Sequence, residues 1–353
     1  MPPRRPLSSH LLAPPAACLV LLAVLLAGCA GPPGPPGASV QDPATGSAPG
    51  SDAFPVTIDN CGVEVTVTQA PTSIVTLNQG ATEQALGLGL ANRMAGTAYL
   101  DDEVAARFAA DYARVPVLSP EYPSLEQFLA AGPDLALTSY ESSFTDEVVG
   151  TREELASRGI ATYVDPLDCP RTPGAAEPGF EDVWSALREI GRLTGASAAA
   201  EELVAAQEAQ LGAVDVAAAP GTTVLWYDSG EDTPFVGVAD SGPAIILDAL
   251  GADNVFGHLD GGWADGSWET VLEADPDVIV LPDALWSTAE DKIDYLEQDP
   301  VLRELTAVRE ERYVVVPFSE TTPGVRLVDG AVHVAEQLAD LDLADVGRGV
   351  GSR

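Results

Sequence analysis

The sequence is poor in basic residues, histidine and cysteine, and each shortage argues against a class of function. It has 17 lysines and arginines against 54 aspartates and glutamates, a formal net charge of −37. A nucleic-acid partner is disfavoured, because binding a phosphate backbone needs clustered basic side chains. Only His258 and His333 follow the N-terminal segment. Two histidines do not supply a three-histidine metal site.

Catalytic motifs are missing as well. The sequence contains no GxSxG, no HExxH and no complete glycine-rich phosphate loop. A surface hydrolase would need His258 or His333 as its base, and both are better explained as structural residues. We therefore expect a non-enzymatic binding protein with no catalytic residue, no resident cofactor and no metal site of its own.

The first 28 residues are typical of a secretory signal peptide. Arg4 and Arg5 precede an apolar segment that is too short and too interrupted by proline to span a bilayer. The quartet LAGC at 26–29 resembles the lipobox of bacterial lipoproteins, in which the cysteine is lipidated. Residues 29–53 are mostly Pro, Gly, Ala and Ser and bury too little apolar surface to become ordered. We expect a flexible tether, lipidated at Cys29, that anchors an extracytoplasmic protein to the cell membrane.

Strand and helix signals alternate along the rest of the chain. Apolar runs such as SIVTLN, LALT, TTVLWY and DVIVLPD alternate with helical stretches such as SLEQFLAA. This pattern predicts parallel sheets covered by helices. Residues 180–216 lack strand signals and predict a long helical connector. The predicted units are an N-terminal α/β lobe at 54–178, the connector at 179–216 and a C-terminal α/β lobe at 217–345.

An internal repeat relates the two predicted lobes. PSLEQFLAAGPDLALTSY at 123–140 matches GSWETVLEADPDVIVLPD at 266–283, so that Glu126 aligns with Glu269, 143 positions later. Upstream, GLGLANRMAG resembles DALGADNVFG. Two matches in the same order indicate a duplicated unit and therefore two similar lobes.

Cys61 and Cys169 are the two cysteines left after the signal peptide and the lipidation site. They lie in the turn-rich segments DNCG and LDCPRTPG, in a chain expected to reach an oxidising compartment. We expect a disulfide that joins the start of the first lobe to a loop near its end. Two free buried thiols are the alternative.

Together these segments resemble the substrate-binding lipoproteins and periplasmic proteins of importers for iron-siderophores, haem and cobalamin. The resemblance covers about residues 54–340 and is carried by PTSIVTLNQGATEQALGLGLANRMAGTA, PSLEQFLAAGPDLALTSY, FEDVWSALREIGRLTGASAAAEELV and SWETVLEADPDVIVL. It implies a class III binding-protein fold, in which two α/β lobes with parallel-type sheets are joined by a rigid helical backbone that permits little closure. The ligand would lie in a shallow cleft between the lobes.

The resemblance also implies a membrane partner. Glu126 and Glu269 fall on the positions where the family docks one glutamate of each lobe onto arginines of the ABC permease dimer. Charge-assisted pairing would set the orientation. The simpler interpretation of each glutamate is an acid that is stabilised near a helix N-terminus.

Ligands of α/β lobes bind beyond the carboxyl ends of the strands, where this sequence is rich in aromatic and acidic residues. Aromatic side chains there suit a bulky, partly apolar ligand, although packing in the lobe core is the alternative for each one. The candidate ligand-binding residues are Asn78, Tyr99, Tyr140, Phe144, Trp226, Tyr227, Trp263, Trp286 and Arg326. The acidic residues of the same loops are Asp101, Asp102, Glu103, Glu121, Glu141, Asp228, Glu231, Asp232, Asp260, Asp265 and Asp283.

The acidic loops favour a neutral or cationic ligand, because they repel anions. Among iron chelates this indicates a hydroxamate siderophore over a triscatecholate. Arg326 would anchor a carbonyl or carboxylate of the ligand, or would pair with Asp329 or another acid. Cobalamin, haem and a deazaflavin cofactor precursor remain alternatives, with Tyr140 and Tyr227 as the candidate axial ligands of haem.

Overall fold

The computed structural model describes residues 53–171, 175–214, 220–341 and 343. They form two α/β lobes, each with its own central sheet, and a helical hairpin packed against both. The predicted signal peptide, almost all of the predicted tether and the lipidation site Cys29 lie outside these residues. Within them, no helix has the length and apolar character needed to span a membrane.

The strands are β1 (Val56–Asn60), β2 (Val63–Val67), β3 (Ile74–Thr76), β4 (Met94–Ala98), β5 (Val117–Ser119), β6 (Leu135–Thr138), β7 (Ala161–Val164), β8 (Thr223–Ser229), β9 (Phe235–Gly237), β10 (Asp253–Asn254), β11 (Trp263–Asp265), β12 (Val278–Asp283) and β13 (Tyr313–Pro317). The α-helices are α1 (Gln79–Gly87), α2 (Ala109–Tyr112), α3 (Leu125–Ala130), α4 (Arg152–Ser157), α5 (Phe180–Thr194), α6 (Ser197–Leu211), α7 (Gly242–Leu250), α8 (Trp268–Ala274), α9 (Ala289–Gln298), α10 (Thr306–Arg309) and α11 (Leu327–Asp340).

The N-terminal lobe is built on a five-stranded parallel sheet. Its strand order is β5-β4-β3-β6-β7, and every neighbouring pair is parallel. Ile74 and Val75 of the central strand β3 belong to different hydrophobic clusters, one on each face of the sheet. Helices therefore cover both faces, which is why this strand is apolar at successive positions. The antiparallel hairpin β1-β2 lies beside β7.

The C-terminal lobe has a mixed sheet. Strands β10, β8, β12 and β13 are parallel, whereas β9 and β11 add an antiparallel edge. The prediction of an α/β lobe with a parallel core is confirmed. The antiparallel edge was not foreseen, because β9 and β11 have three residues each and are too short for a periodic signal.

The topology confirms the internal duplication. The order β4-β3-β6-β7 in the first lobe corresponds to β10-β8-β12-β13 in the second. Helices α3 and α8 begin 143 positions apart, at Leu125 and Trp268, and each has a serine N-cap.

A contact between an aspartate and a threonine is repeated in the same way. Asp134 accepts hydrogen bonds from the backbone N–H and the hydroxyl of Thr72, at 2.7 and 3.0 Å. Asp277 accepts the same two bonds from Thr223, at 2.8 and 2.6 Å. Asp134 lies just before β6 and Asp277 just before β12, and each ties its strand to the start of the neighbouring strand, β3 or β8.

Helices α5 and α6 form an antiparallel hairpin and not the single long helix that the sequence predicted. The chain reverses at Gly195, whose φ of +70° lies in the left-handed region that favours glycine. Trp184 Nε1 donates to Gln207 Oε1 at 3.1 Å and joins the two helices. Helical periodicity continues on both sides of the reversal, so the pattern alone did not reveal it.

The hairpin connects the cores of the two lobes. Near its tip, Leu187 and Ile190 are part of the N-terminal core. At its open end, Phe180 and Val183 are part of the C-terminal core, and Trp184 packs against both. A change in the angle between the lobes would therefore disturb two packed cores, so the connector is stiff.

Candidate functional site

The backbones of the two lobes come into close contact at the start of α1. Gly80, at the start of α1, faces Pro323 and Gly324 in the loop before α11. A Cβ atom on Gly80 would lie 2.5 Å from the Pro323 carbonyl oxygen and 2.5 Å from Ser139 Oγ. Only glycine permits this approach, so the seam between the lobes is fixed at this point.

Arg326 forms a charged network across the seam. Its Nη1 lies 3.6 Å from Glu83 Oε1 and 3.5 Å from Asp102 Oδ1 in the N-terminal lobe, and its Nη2 lies 2.5 Å from Glu320 Oε1 in its own lobe. Burial raises the pKa of Glu83, although the hydrogen bond from Gln79 and the charge of Arg326 oppose this. Arg326 is 8% exposed. Its guanidinium pairs with three carboxylates, but its Nε has no hydrogen-bond partner among the described residues and Arg326 lines a cavity between the lobes, so the role of ligand anchor stays a prediction.

Neighbouring residues extend this network. Asp102 Oδ2 accepts from the backbone N–H and the hydroxyl of Ser319, at 2.9 and 2.8 Å. Glu320 Oε2 lies 2.6 Å from His333 Nδ1, which gives that histidine a structural partner. Asp329, the partner expected for Arg326, instead pairs with Arg107 at 2.6 Å.

Beside the network, aromatic side chains from both lobes form what we call the aromatic surface: Tyr99, Tyr122, Trp286 and Phe318. Tyr99 stacks on Tyr122 with ring centroids 4.6 Å apart, and Trp286 meets Phe318 edge-on at 5.2 Å. Trp286 is 52% exposed. Aromatic rings from both sides of a seam are suited to a bulky ligand.

Asp101 connects the two halves of this surface. Its carbonyl oxygen accepts from Leu285 N–H of the other lobe at 3.1 Å, and its carboxylate is hydrogen-bonded to the Trp286 side chain. The pKa of Asp101 is raised to about 6, mainly by burial and also by the nearby charges of Asp102 and Asp228, while the Trp286 bond opposes the shift.

Tyr140 and Asp228 lie at the same part of the seam. Tyr140 is half-buried, and its pKa is raised well above 10 by burial and by the charges of Asp101, Asp168 and Asp228. Asp228 lies near the carboxyl end of β8, and burial raises its pKa to about 6 while the charge of Lys292 lowers it. Side chains from both lobes therefore converge here.

Two cavities open between the lobes. One, of about 560 Å³, is bordered by Tyr140 and Trp263 and is crossed by an ion pair in which Arg171 Nε lies 2.9 Å from Asp240 Oδ1. The other, of about 480 Å³, is bordered by Asp102 and Leu285. Both have walls from each lobe, as expected for a site at the carboxyl ends of strands.

Four predicted ligand-binding residues are buried. Trp226 is 0% exposed in the core of the C-terminal lobe, and Phe144 is buried in the N-terminal lobe. Tyr227 packs edge-on against Trp268 and its hydroxyl donates to the Gly230 carbonyl oxygen.

Asn78, the fourth of them, is buried at the N-cap of α1, where its Oδ1 accepts from Ser139 N–H at 2.9 Å. For β8, the sequence suggested a strand end at Tyr227, but the strand runs to Ser229. Trp226 and Tyr227 therefore lie within a strand that is covered on both faces.

The structure brings Tyr99, Tyr140, Trp263 and Trp286 to the seam. Sequence reasoning missed Tyr122 and Phe318, which complete the aromatic surface. Tyr122 lies three residues after β5 and Phe318 directly after β13, so the position rule was sufficient to find them.

The predicted docking glutamates occupy equivalent places. Glu126 and Glu269 are both exposed and are each the second residue of a helix, α3 and α8.

A disulfide joins Cys61 to Cys169, as expected, with their Cα atoms 5.1 Å apart. It links the turn after β1 to the loop beside the larger cavity.

Comparison with known proteins agrees with this architecture. Residues 74–320 match the periplasmic binding protein family. The chain is 26% identical to the uncharacterized ABC transporter substrate-binding lipoprotein YvrC of Bacillus subtilis, over 91% of this chain and 95% of that protein.

Solved structures are similar as well. A periplasmic binding protein from Veillonella parvula is 32% identical, with a TM-score of 0.71 over 82% of this chain and 99% of its own. An ABC-type Fe³⁺-hydroxamate transport system protein from Saccharomonospora viridis is 30% identical, with a TM-score of 0.69 over 81% of this chain and 99% of its own. Together with the duplicated lobes and the seam between them, these matches establish that the chain belongs to the periplasmic binding protein family.

Proposed function

We propose that this protein is the extracytoplasmic substrate-binding lipoprotein of an ABC importer and that it carries a ferric hydroxamate siderophore to the permease. The observation that carries the proposal is the aromatic surface, to which both lobes contribute side chains at the seam. The name of the Bacillus subtilis relative supports the importer role and the lipid anchor at Cys29. The protein from Saccharomonospora viridis supports the ligand class.

The charges at the seam support a neutral or cationic chelate. Asp101, Asp168 and Asp228 surround Tyr140, whereas Arg326 is neutralised by its own carboxylates. A triscatecholate complex would bring several negative charges towards these acids. Cobalamin, haem and a deazaflavin precursor are alternatives in the same receptor class. For haem, Tyr227 is no longer a candidate axial ligand, because it is buried and bonded within its lobe.

The ligand is tested by titrating the soluble mature protein. Trp286 is the exposed tryptophan at the seam, so binding should quench tryptophan emission in a saturable manner. We expect saturation with ferric hydroxamates and none with ferric triscatecholates. Saturation with haem or cobalamin alone would replace the proposed ligand. Ester or glycoside hydrolysis without any binding would replace the receptor class with a surface hydrolase.

Docking is tested in cells that depend on this protein for uptake. We propose that Glu126 and Glu269 each contact one half of the permease dimer. Replacing both with alanine should abolish uptake and leave the fluorescence titration unchanged. Glu153 and Glu290 are the matched control, because each is exposed and is the second residue of another helix, one per lobe. Their double alanine variant should transport normally. Equal loss in both variants would overturn the assignment.

A further inference from the structure

Asp228 is an unusual acid, because it is buried at the seam with an unused acceptor. It is 2% exposed and lies next to the last residue of β8, where the strand reaches the other lobe. Its carboxylate is hydrogen-bonded to the Ser229 side chain, but Oδ1 has no partner among the described residues. Leaving a buried carboxylate oxygen unpaired is costly, so a donor is expected to reach it when the site is filled.

Asp101 faces the same place from the N-terminal lobe. It is 6% exposed, and its backbone and side chain are held by Leu285 and Trp286 across the seam. Asp101 and Asp228 also interact electrostatically with each other and with Tyr140. The three polar groups come from three strand ends and from both lobes. A group that contacted all three would be held at the junction of the lobes.

The cations around this junction already have acidic partners. Arg326 pairs with three carboxylates and Arg171 pairs with Asp240. Lys292 is the cation that offsets the charge of Asp228; its Nζ donates to the Pro282 carbonyl oxygen, and Asp283 also acts on it. Within the described residues, nothing comparable offsets the charge of Asp101. The junction is therefore short of one positive charge.

We propose that Asp101, Asp228 and Tyr140 form a subsite for an alkylammonium group on the ligand. An ammonium has three N–H donors, which matches two carboxylates and one phenol oxygen. The neighbouring rings of Tyr99, Tyr122 and Trp286 add a surface that attracts a cation. This inference rests on the proposed function and specifies it: the chelate carries a free primary amine, protonated at neutral pH, in addition to its iron-binding groups.

The test compares two probes that differ only at this amine. One is a linear ferric trihydroxamate with a terminal ammonium, and the other is its N-acetylated derivative, which lacks the charge. Dissociation constants come from the quenching of tryptophan emission. We expect the ammonium form to bind wild-type protein at least about tenfold more tightly, since a charge-assisted hydrogen bond is roughly twice as strong as a neutral one.

Substitutions then locate the effect. Asp228→Asn and, independently, Asp101→Asn should bring the ratio of the two dissociation constants close to one. Either variant suffices if the other does not fold. Glu147→Gln is the control for lost charge, because Glu147 is exposed on the loop before α4, and it should keep the wild-type ratio.

The outcomes separate this inference from the proposed function. Equal affinity of wild-type protein for both probes would overturn the ammonium subsite and leave the hydroxamate receptor intact. A preference that survives both aspartate substitutions would also overturn the subsite. Binding of neither probe would overturn both proposals.

Discussion

The clearest stability prediction concerns the charged network at Arg326, which pairs across the seam with Glu83 and Asp102 and within its lobe with Glu320. Replacing Arg326 with glutamine leaves these carboxylates close together without a cation. Breaking one buried ion pair costs about 3–5 kcal/mol. We expect a loss of about that size, with a second effect on the contact between the lobes.

The matched control is an ion pair between the lobes whose arginine is exposed to solvent. Arg107 Nη2 lies 2.6 Å from Asp329 Oδ2, but the arginine side chain is 47% exposed. Solvent screening limits such pairs to about 0–1 kcal/mol. Arg107→Gln should therefore be close to wild type, although it removes the same type of residue from the same seam.

The measurement is equilibrium unfolding in urea, followed by tryptophan fluorescence, for wild type, Arg326→Gln, Arg326→Lys and Arg107→Gln. Lysine keeps the charge but not the planar fork, so its variant should fall between wild type and glutamine. Equal losses at the two positions would contradict the distinction drawn here between buried and exposed pairs. If Arg326→Gln kept its stability but bound the ligand more weakly, the result would support Arg326 as a ligand anchor.

Two further substitutions test buried positions, both by urea unfolding. Gly80→Ala places a Cβ atom 2.5 Å from the Pro323 oxygen and should cost about 1–3 kcal/mol, whereas Gly262→Ala, where the nearest atom would lie 4.0 Å from the Cβ, should change stability by less than about 0.5 kcal/mol. A harmless Gly80→Ala would mean that the seam opens readily. Asp165→Asn tests a carboxyl whose pKa is raised to about 6, mainly by burial. Because its folded-state pKa lies above the ordinary value, this carboxyl makes the wild-type protein less stable as the pH rises from about 4 through 6. The asparagine variant does not titrate. Its free energy of unfolding should therefore rise relative to that of wild type by up to about 3 kcal/mol between pH 4 and 8. A difference between the two proteins that does not vary with pH would refute this.

Features that repeat along the chain were predictable from the sequence. The constant offset between the two matched segments located α3 and α8 and placed Glu126 and Glu269 at equivalent helix positions. It required no knowledge of tertiary contacts, because two copies of one unit fold in the same way.

Features that depend on contacts between distant residues were not predictable. Asp102 and Ser319 are 217 positions apart, and nothing near Arg326 indicated that acids of the other lobe would surround it. The prediction that Trp226 binds the ligand was wrong for a local reason. The end of β8 was placed two residues too early, so a tryptophan of the core was assigned to the cleft. Boundaries of that kind are the least certain part of any assignment from sequence.

The hairpin of α5 and α6 restricts how this protein can diversify. The hydrophobic core of each lobe includes side chains of this hairpin. Recombination that exchanged one lobe for that of a relative would therefore leave part of the hairpin packed against a core that does not match it. New ligand preferences are more readily acquired by substitutions in the loops at the seam, which leave the shared helices unaltered.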